Sequence, residues 1–430
     1  MSTLPRRAFL RHAAAAAPAP FVLRSAALGA EGRPAPSDRI TLGMIGVGSM
    51  GLRHVHGFLQ EPDCQILSIC DADAARRRAA AEVVNKQYGN AHCRQVRDFR
   101  DAIADPGLDA LVISVPDHWH AAASIPAVQA GKDIYGEKPL ALTIAEGRAM
   151  VEAVRRAGVV WQMGSWQRST AHFRIACELV RNGRIGKLTR VEVGLPISPT
   201  CGPEPPMPVP EGFDYDLWLG PAPWAPYTEK RCHWNFRWIL DYSGGQVTDT
   251  GAHDIDTAHW GMGADGTGPA EVEGKGEFPD GLWNVATRYH FTCRYASGVV
   301  MDVASSDRFR GGTRWIGGKG WVHVDRGRMD ASPKSLLKER IGPDEIHLAS
   351  PAEGHRQGHR RNFLDCVKTR AVPITPIEIG QRSITVAHLG NIAMRLGRRI
   401  RWDPAREEII GDPDAARMLR RPLREPWHYG

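Results

Sequence analysis

From Ile40 the chain reads ITLGMIGVGSMGLRHVHGFLQ: an apolar run to Val47, with Gly46, Gly48 and Gly51 in G-x-G-x-x-G spacing, then a helix-like segment. Glycines at this spacing suit a strand that turns sharply into a helix. They permit the tight turn, let backbone approach a pyrophosphate, and let helix pack on strand. The phosphate then lies at the helix N-terminus, where unpaired N–H groups favour an anion. Ser49 and Met50, between the last two glycines, join Gly46, Gly48 and Gly51 as candidate contacts. Alone the motif is a weak sign, because glycine-rich turns are common. The next segment strengthens it. CQILSICDAD (64–73) reads as a second strand and ends at Asp71, twenty residues after Gly51. An acid there accepts hydrogen bonds from ribose hydroxyls and repels a 2′-phosphate, which favours NAD over NADP. Arg76, Arg77 and Arg78 would suit a 2′-phosphate instead, but read more simply as a solvated helix face.

LDALVISVPDHWH (108–120) and KDIYGEKPL (132–140) supply further strand–loop units, with helix-like AAASIPAVQAG between them. Alternating strand and helix signals predict a parallel, doubly wound sheet. At 430 residues the chain exceeds one ordinary core and suits two domains. Its hydrophobic content of 42% and charged content of 24% are those of a globular protein. The net charge of +7 hints at nucleic acid until it is divided: residues 1–34 hold five Arg and one Glu, leaving +3 for the rest. No basic tail or aromatic–basic repeat occurs, so no nucleic-acid partner is expected. Eight cysteines without a CxxC pair argue against a zinc ribbon or disulfide scaffold.

Glu137-Lys138-Pro139, after the VPDHWH loop, resembles the Gfo/Idh/MocA oxidoreductases, and SGGQVTDTGAHDIDTAHW (243–260) is similar to that family's catalytic helix. The resemblance runs from about Ile40 to Trp402. It implies an α/β protein with an N-terminal Rossmann domain and a C-terminal α/β domain built on a large, mostly antiparallel open sheet. One face of that sheet often makes an oligomer interface, so a homo-oligomer is expected. TRVEVGL, ATRYHFTCRYASGVVMDVASS and GWVHVDRG alternate as strands should, and HRRNFLDCVKTR and QRSITVAHLGNIAMRLG read as amphipathic helices. The expected bounds are 38–165 for the first domain, 166–404 for the second and 405–430 for a tail. A proline-rich connection between Pro196 and Pro226 reads as an ordered surface loop, shaping either the pocket or a subunit contact.

The resemblance nominates Lys138, Asp249 and His253 as catalytic. Lys138 lies in a Lys-Pro step that is commonly cis in the family. Its ammonium would hydrogen-bond the substrate hydroxyl and steady developing alkoxide. On a helix, Asp249 and His253 share one face, with Asp256 three residues further on the same face and Asp254 pointing away. Removing hydride from an alcohol needs a base for the hydroxyl proton, and an imidazole suits it. A metal held by Asp249, His253 and Asp256 or His259 is geometrically possible, but the family's hydride chemistry does not generally require one and none is expected. Pro116, Asp117, His120 and Glu137 are expected beside the dinucleotide. Gln167 and Arg168, in GSWQRS, are placed near the nicotinamide ribose or substrate. In HWNFRWILDY (233–242), Trp234, Arg237 and Trp238 make a candidate sugar platform, aromatic faces suiting the C–H face of a pyranose; core packing is the competing reading.

LPRRAFLRHAAAAA (4–17) looks like a twin-arginine export signal: Arg6 and Arg7, then Phe9–Leu10 and a weakly apolar stretch broken by Pro18 and Pro20. A disordered basic start or an organelle transit peptide is the blander reading of the same residues. Residues 1–34 are read as that signal and a linker, and its use predicts a periplasmic or extracellular protein served by the twin-arginine machinery. NAD is inserted into a folded domain, and no NAD pool outside the cytoplasm replaces it if lost. An exported member would hold NAD as a prosthetic group and return each hydride before the next cycle. Two schemes satisfy this: paired oxidation and reduction of two sugars, or oxidation, elimination, hydration and re-reduction that cleaves a glycoside. The expected substrate is a sugar, polyol or sugar derivative. A non-catalytic sugar-binding protein is the reading from another class, and an intact Lys138, Asp249 and His253 set argues against it.

Overall fold

The computed structural model describes residues 34–351 and 355–428; the twin-arginine stretch lies outside them. Apart from the exposed edge strand, the first sheet takes its shape from short, mostly apolar runs that are buried on both faces. β1 (Ile40–Ile45), β2 (Cys64–Cys70), β3 (Arg94–Val96), β4 (Ala110–Ile113), β5 (Asp133–Gly136) and β6 (Trp161–Met163) pair in the order β3-β2-β1-β4-β5-β6. Every pairing is parallel. All four residues of β4 are buried, as expected of a strand covered by helices on both faces. The strand order reverses between β1 and β4, and there the carboxyl ends of the strands open a crevice.

The glycines at the crevice act as their spacing suggests. Gly46 adopts φ +80°, and a Cβ on it would come 2.6 Å from the Ser114 carbonyl oxygen. A Cβ on Gly51 would come 2.0 Å from the Gly46 oxygen, so only glycine lets helix Ser49–Phe58 start so close to β1. Gly48 meets nothing nearer than an Arg76 guanidinium nitrogen at 3.5 Å and leaves its backbone approachable.

The second sheet has nine strands: β7 (Leu188–Leu195), β8 (Glu271–Gly276), β9 (Tyr289–Arg294), β10 (Val300–Ser305), β11 (Gly312–Gly317), β12 (Gly320–Val324), β13 (Met329–Ser332), β14 (Ile400–Asp403) and β15 (Glu408–Ile409). Their order is β13-β12-β11-β7-β10-β9-β8-β14-β15, and β7 with β10 is the parallel pair among the described residues. Alternation is clear in β9, where Tyr289, Phe291 and Cys293 are buried. Helix Gly251–Met262 lies on this sheet at a close approach. A Cβ on Gly261 would come 2.5 Å from the Trp315 ring, and the Trp315 indole N–H donates to the Ala258 carbonyl at 3.2 Å. That anchor fixes the helix that carries His253.

The C-terminal residues fold back on the first domain. Phe363, on helix His355–Thr369, meets the rings of Phe58 and Tyr135 at 6.4 and 5.7 Å. The stretch read as a tail includes β15, and Trp427 sits edge-on to Trp119 at 4.7 Å. Arg421 donates to the Glu146 carboxylate at 2.9 Å. No helix among the described residues is long and apolar enough to cross a membrane.

Candidate active site

The carboxyl ends of β1, β2, β4 and β5 line one cavity of about 430 Å3, with a second wall from the other domain. Gly46, Gly48, Ser49, Met50, Asp71, Pro116, Asp117, Glu137 and Lys138 face it from the first domain. Asp71 accepts the Val47 N–H at 2.8 Å and the Asp73 N–H at 2.9 Å, one on each oxygen. Each carboxylate oxygen keeps a further lone pair for a ribose hydroxyl. Arg76 also faces the cavity, Arg77 donates to the Asp71 carbonyl, and Arg78 is exposed. The open Gly48 backbone, the helix start at Ser49 and the Asp71 acceptors together fit an adenine dinucleotide.

The proline-rich connection closes the adenosine end. Gly212 accepts the Ala74 N–H at 2.9 Å and Asp214 donates to the Ala72 carbonyl at 3.1 Å, so the loop clasps the chain just past Asp71. Phe213 and Trp218 from this loop, with Trp234, Phe236 and Arg237, continue the cavity wall. Phe213, Trp218 and Phe236 belong with Tyr215, Tyr227 and Tyr242 to an apolar cluster of their own.

At the other end the structure brings Lys138, Asp249 and His253 together. The Lys138–Pro139 bond is cis. The Lys138 ammonium donates to an Asp249 carboxylate oxygen, and the Arg237 Nε stands 3.3 Å from the other oxygen. Burial works against an ionised Asp249, but the Lys138 and Arg237 charges outweigh it and hold the carboxyl below its usual range. His253 is pushed well below the ordinary imidazole range, first by burial and then by Lys138, Arg326 and Arg356. It is therefore neutral near pH 7, and among the described residues its buried Nδ1 has no hydrogen-bond partner. A buried polar nitrogen left unpaired is costly. Ser243, in the turn before this helix, donates to Asp117 at 2.5 Å and ties the turn to the loop after β4. Glu137 is bound by His54 at 2.7 Å and serves the wall rather than the centre.

Other expected residues stand elsewhere. Arg168, placed at the substrate from sequence, is 2% exposed and absent from the cavity wall. It makes paired hydrogen bonds of 2.7–2.9 Å to both Asp256 and Asp265. Asp249 ends the short helix Gln246–Asp249, whereas Asp256 sits on the following helix Gly251–Met262, about 10 Å further along and off the cavity wall. Gln167 is spent on Thr257 and Asp254. Trp238 is core, leaving Trp234, 58% exposed with Arg237 4.1 Å from its ring, as the aromatic at the rim. His120 directs its ring nitrogens at the carbonyls of Pro139 and Val115 and braces two loops. Gly51 packs helix on strand behind the turn. Of the four side chains weighed for a metal, Asp256 is held by Arg168 and His259 meets the Tyr295 hydroxyl at 2.7 Å. Sequence reasoning missed Arg53, Trp166, Arg326 and Arg356, all on the cavity wall. Trp166 lay within the quoted GSWQRS; the arginines carried no motif.

Residues 40–165 match the oxidoreductase family's NAD-binding Rossmann fold, and residues 202–429 match its C-terminal alpha/beta domain. The chain belongs to the Gfo/Idh/MocA oxidoreductase family. Its first domain is the family's NAD-binding Rossmann domain. It is 30% identical over 240 residues to the uncharacterized oxidoreductase YrbE of Bacillus subtilis (strain 168), covering 56% of this chain and 58% of that one. Against the myo-inositol 2-dehydrogenase of Thermotoga maritima it is 25% identical over 387 residues, 86% of this chain and 99% of that one. The chain spans 42–58% of the length of the curated relatives it first matches. The fold is shared with the WlbA dehydrogenase from Bordetella pertussis, whose crystal structure is in complex with NADH and UDP-GlcNAcA: TM-score 0.63, 20% identity, 85% of this chain and 99% of that one.

Buried histidines are expected to make this fold acid-sensitive. Burial pushes His118 down to about 3, and His259, His359 and His388 to about 4. As pH falls through about 6.5 the unfolded chain binds protons that the folded one refuses, so stability drops until the folded values are reached. Each such group costs about 1.4 kcal/mol per pH unit in that window. Asp254, raised to about 6 by burial, acts in the opposite sense between its folded and ordinary values. With more histidines than such carboxyls shifted far, the melting temperature is expected to fall steadily from pH 7 to pH 5. A flat thermal profile across that range contradicts the buried neutral histidines.

Proposed function

We propose that the chain is an exported, NAD-dependent oxidoreductase acting on a CH–OH group of a sugar, polyol or sugar derivative. The observation that carries this reading is the convergence of Lys138, Asp249 and neutral His253 at one end of a dinucleotide-shaped cavity. Bound NAD supplies the hydride acceptor. The protein's own part is acid–base and electrostatic. The Lys138 ammonium, oriented by Asp249, donates a hydrogen bond to the alcohol oxygen and steadies it as negative charge develops. The neutral imidazole of His253 accepts the hydroxyl proton, the role a base poised in its uncharged form can fill. Trp234 and Arg237 at the rim present an apolar face and a donor to a pyranose.

The export signal and tightly held NAD form one proposal. The twin arginine, Arg6 and Arg7, supports export, and the loop clasp over Asp71 supports retention of the nucleotide. The protein is expected to carry about one NAD per chain through purification from a periplasmic fraction and dialysis, measured by chromatography of the nucleotide released on denaturation. An empty protein that oxidises sugars only with added NAD contradicts the prosthetic reading. Redox-neutral cleavage of a glycoside is the second scheme such retention permits; it is distinguished by a hydrolytic product without an oxidised one.

A further inference from the structure

The cavity wall carries seven arginine or lysine side chains against four carboxylates. The carboxylates have partners: Asp71 two backbone N–H groups, Asp117 Ser243, Glu137 His54, and Asp249 both Lys138 and Arg237. Arg76 pairs with Asp73 at 3.4 Å and Arg97 with Asp214 at 3.5 Å, which leaves Arg53, Arg326 and Arg356, the last with a 3.8 Å contact from Nη1 to the Met50 sulfur. Among the described residues none of the three has a carboxylate within ion-pair distance. They come from separate elements: helix Ser49–Phe58, the turn between β12 and β13, and the start of helix His355–Thr369. Chain folding alone gives no reason to gather such like charges.

Two of them converge on the reacting end. The guanidinium carbons of Arg326 and Arg356 stand 5.3 and 4.4 Å from the centre of the Trp166 ring, which itself lies 6.2 Å from the His253 ring. The Arg326 charge reaches His253, Asp249 and Asp254, all on the second domain's side. A dinucleotide's pyrophosphate belongs at Gly48 and the start of helix Ser49–Phe58 instead. Arg326 is therefore placed for the other ligand. Guanidinium groups offer planar paired donors that match carboxylate or phosphate oxygens, and two of them braced on an aromatic ring are already oriented for one.

We propose that the substrate is an anionic sugar derivative, bearing a carboxylate or phosphate that Arg326 and Arg356 bind beside His253. The proposal rests on the oxidoreductase reading for its location. Alcohol and anion are then held at separate points of one molecule, which fixes the carbon presented to Lys138 and His253.

The test compares D-glucuronate, D-galacturonate and D-glucose 6-phosphate with D-glucose and D-galactose on the NAD-loaded protein. Binding is read by calorimetry and chemistry by absorbance of the bound nicotinamide at 340 nm. The uronates or the phosphate are expected to bind at least tenfold more tightly than their neutral parents, by a margin that shrinks as salt rises. Which of the two leads separates carboxylate from phosphate. Arg326→Gln and Arg356→Gln are each expected to shrink that preference tenfold or more while the nucleotide stays bound. Equal binding of acids and neutral parents overturns the proposal. So does a preference unchanged in both variants, or a loss of nucleotide with the preference intact. If acids bind in an arginine-dependent way but no sugar reduces the nicotinamide, the oxidoreductase reading falls and the anion site stands. If neutral sugars reduce it as well as acids do, the reverse holds.

Discussion

Lys138→Ala is expected to lower kcat/KM by about 10²–10³-fold, the loss found when one preorganised donor to a developing oxyanion is removed. The ammonium stands at the carboxyl end of β5, bound to Asp249 and facing the cavity. Alanine there removes both the donor and the charge. Asp249 keeps Arg237 at 3.3 Å, so its carboxylate is not stranded and the fold has little reason to suffer. Lys138→Arg retains the charge but spreads it over a planar fork of different reach, and is expected to recover only part of the rate. Nucleotide content measured in parallel separates lost chemistry from a lost cofactor. A Lys138→Ala protein with full NAD and a rate within tenfold of wild type contradicts the role assigned to Lys138.

His253→Asn carries the second large effect. Asparagine keeps a polar side chain at a buried position but cannot take a proton, and a fall of about 10²–10⁴-fold in kcat is expected. The pH profile tests the role independently of the size of the loss. Burial and the charges of Lys138, Arg326 and Arg356 hold the imidazole well below its ordinary range. The proposed base is therefore held in its neutral form below the range where an ordinary histidine takes a proton. The acid limb of kcat/KM is expected to lie below the ordinary imidazole midpoint of about 6.5. An acid limb centred at or above 6.5 that vanishes in His253→Asn contradicts the neutral, buried base while keeping the residue in play.

Much of this was legible in the sequence for reasons that are local. Gly46 is required by its positive φ and the Ser114 carbonyl, Gly51 by the Gly46 carbonyl, and Gly48 leaves the backbone open, while Asp71 ends the adjoining strand, so spacing alone carried them. Lys138, Asp249 and His253 came instead from the resemblance, and the structure brings them to one cavity. What spacing does not carry is depth. Asp256 has the spacing to share a helix face with Asp249, yet it lies on the next helix about two turns further in, where Arg168 and Asp265 complete an ion network. Arg168 next to Gln167 looked like a pair leaving the sheet for the substrate; a guanidinium with two carboxylate partners is instead a strut inside the second domain, tied to helix Gly251–Met262 and the turn after it. Trp234 and Trp238 are one helical turn apart in sequence and opposite in fate, one at the rim and one in the core. Arg326 and Arg356 carried no signal at all, because their proximity is made by a strand turn and a helix start thirty residues apart. β8, β11 and β13–β15 also escaped, being short or glycine-bounded with little alternation.

The measurement that bears most directly on the account is made on dialysed protein with no nucleotide added. Single sugars, sugar acids and polyols are mixed with it in turn, and absorbance at 340 nm is followed through one turnover. A substrate-dependent rise of up to one reduced nicotinamide per chain, abolished in His253→Asn and reversed by a second sugar, is the predicted result. A protein that retains its NAD, binds sugars, and shows no change at 340 nm and no product with any of them would mean that the cavity holds sugar without hydride chemistry.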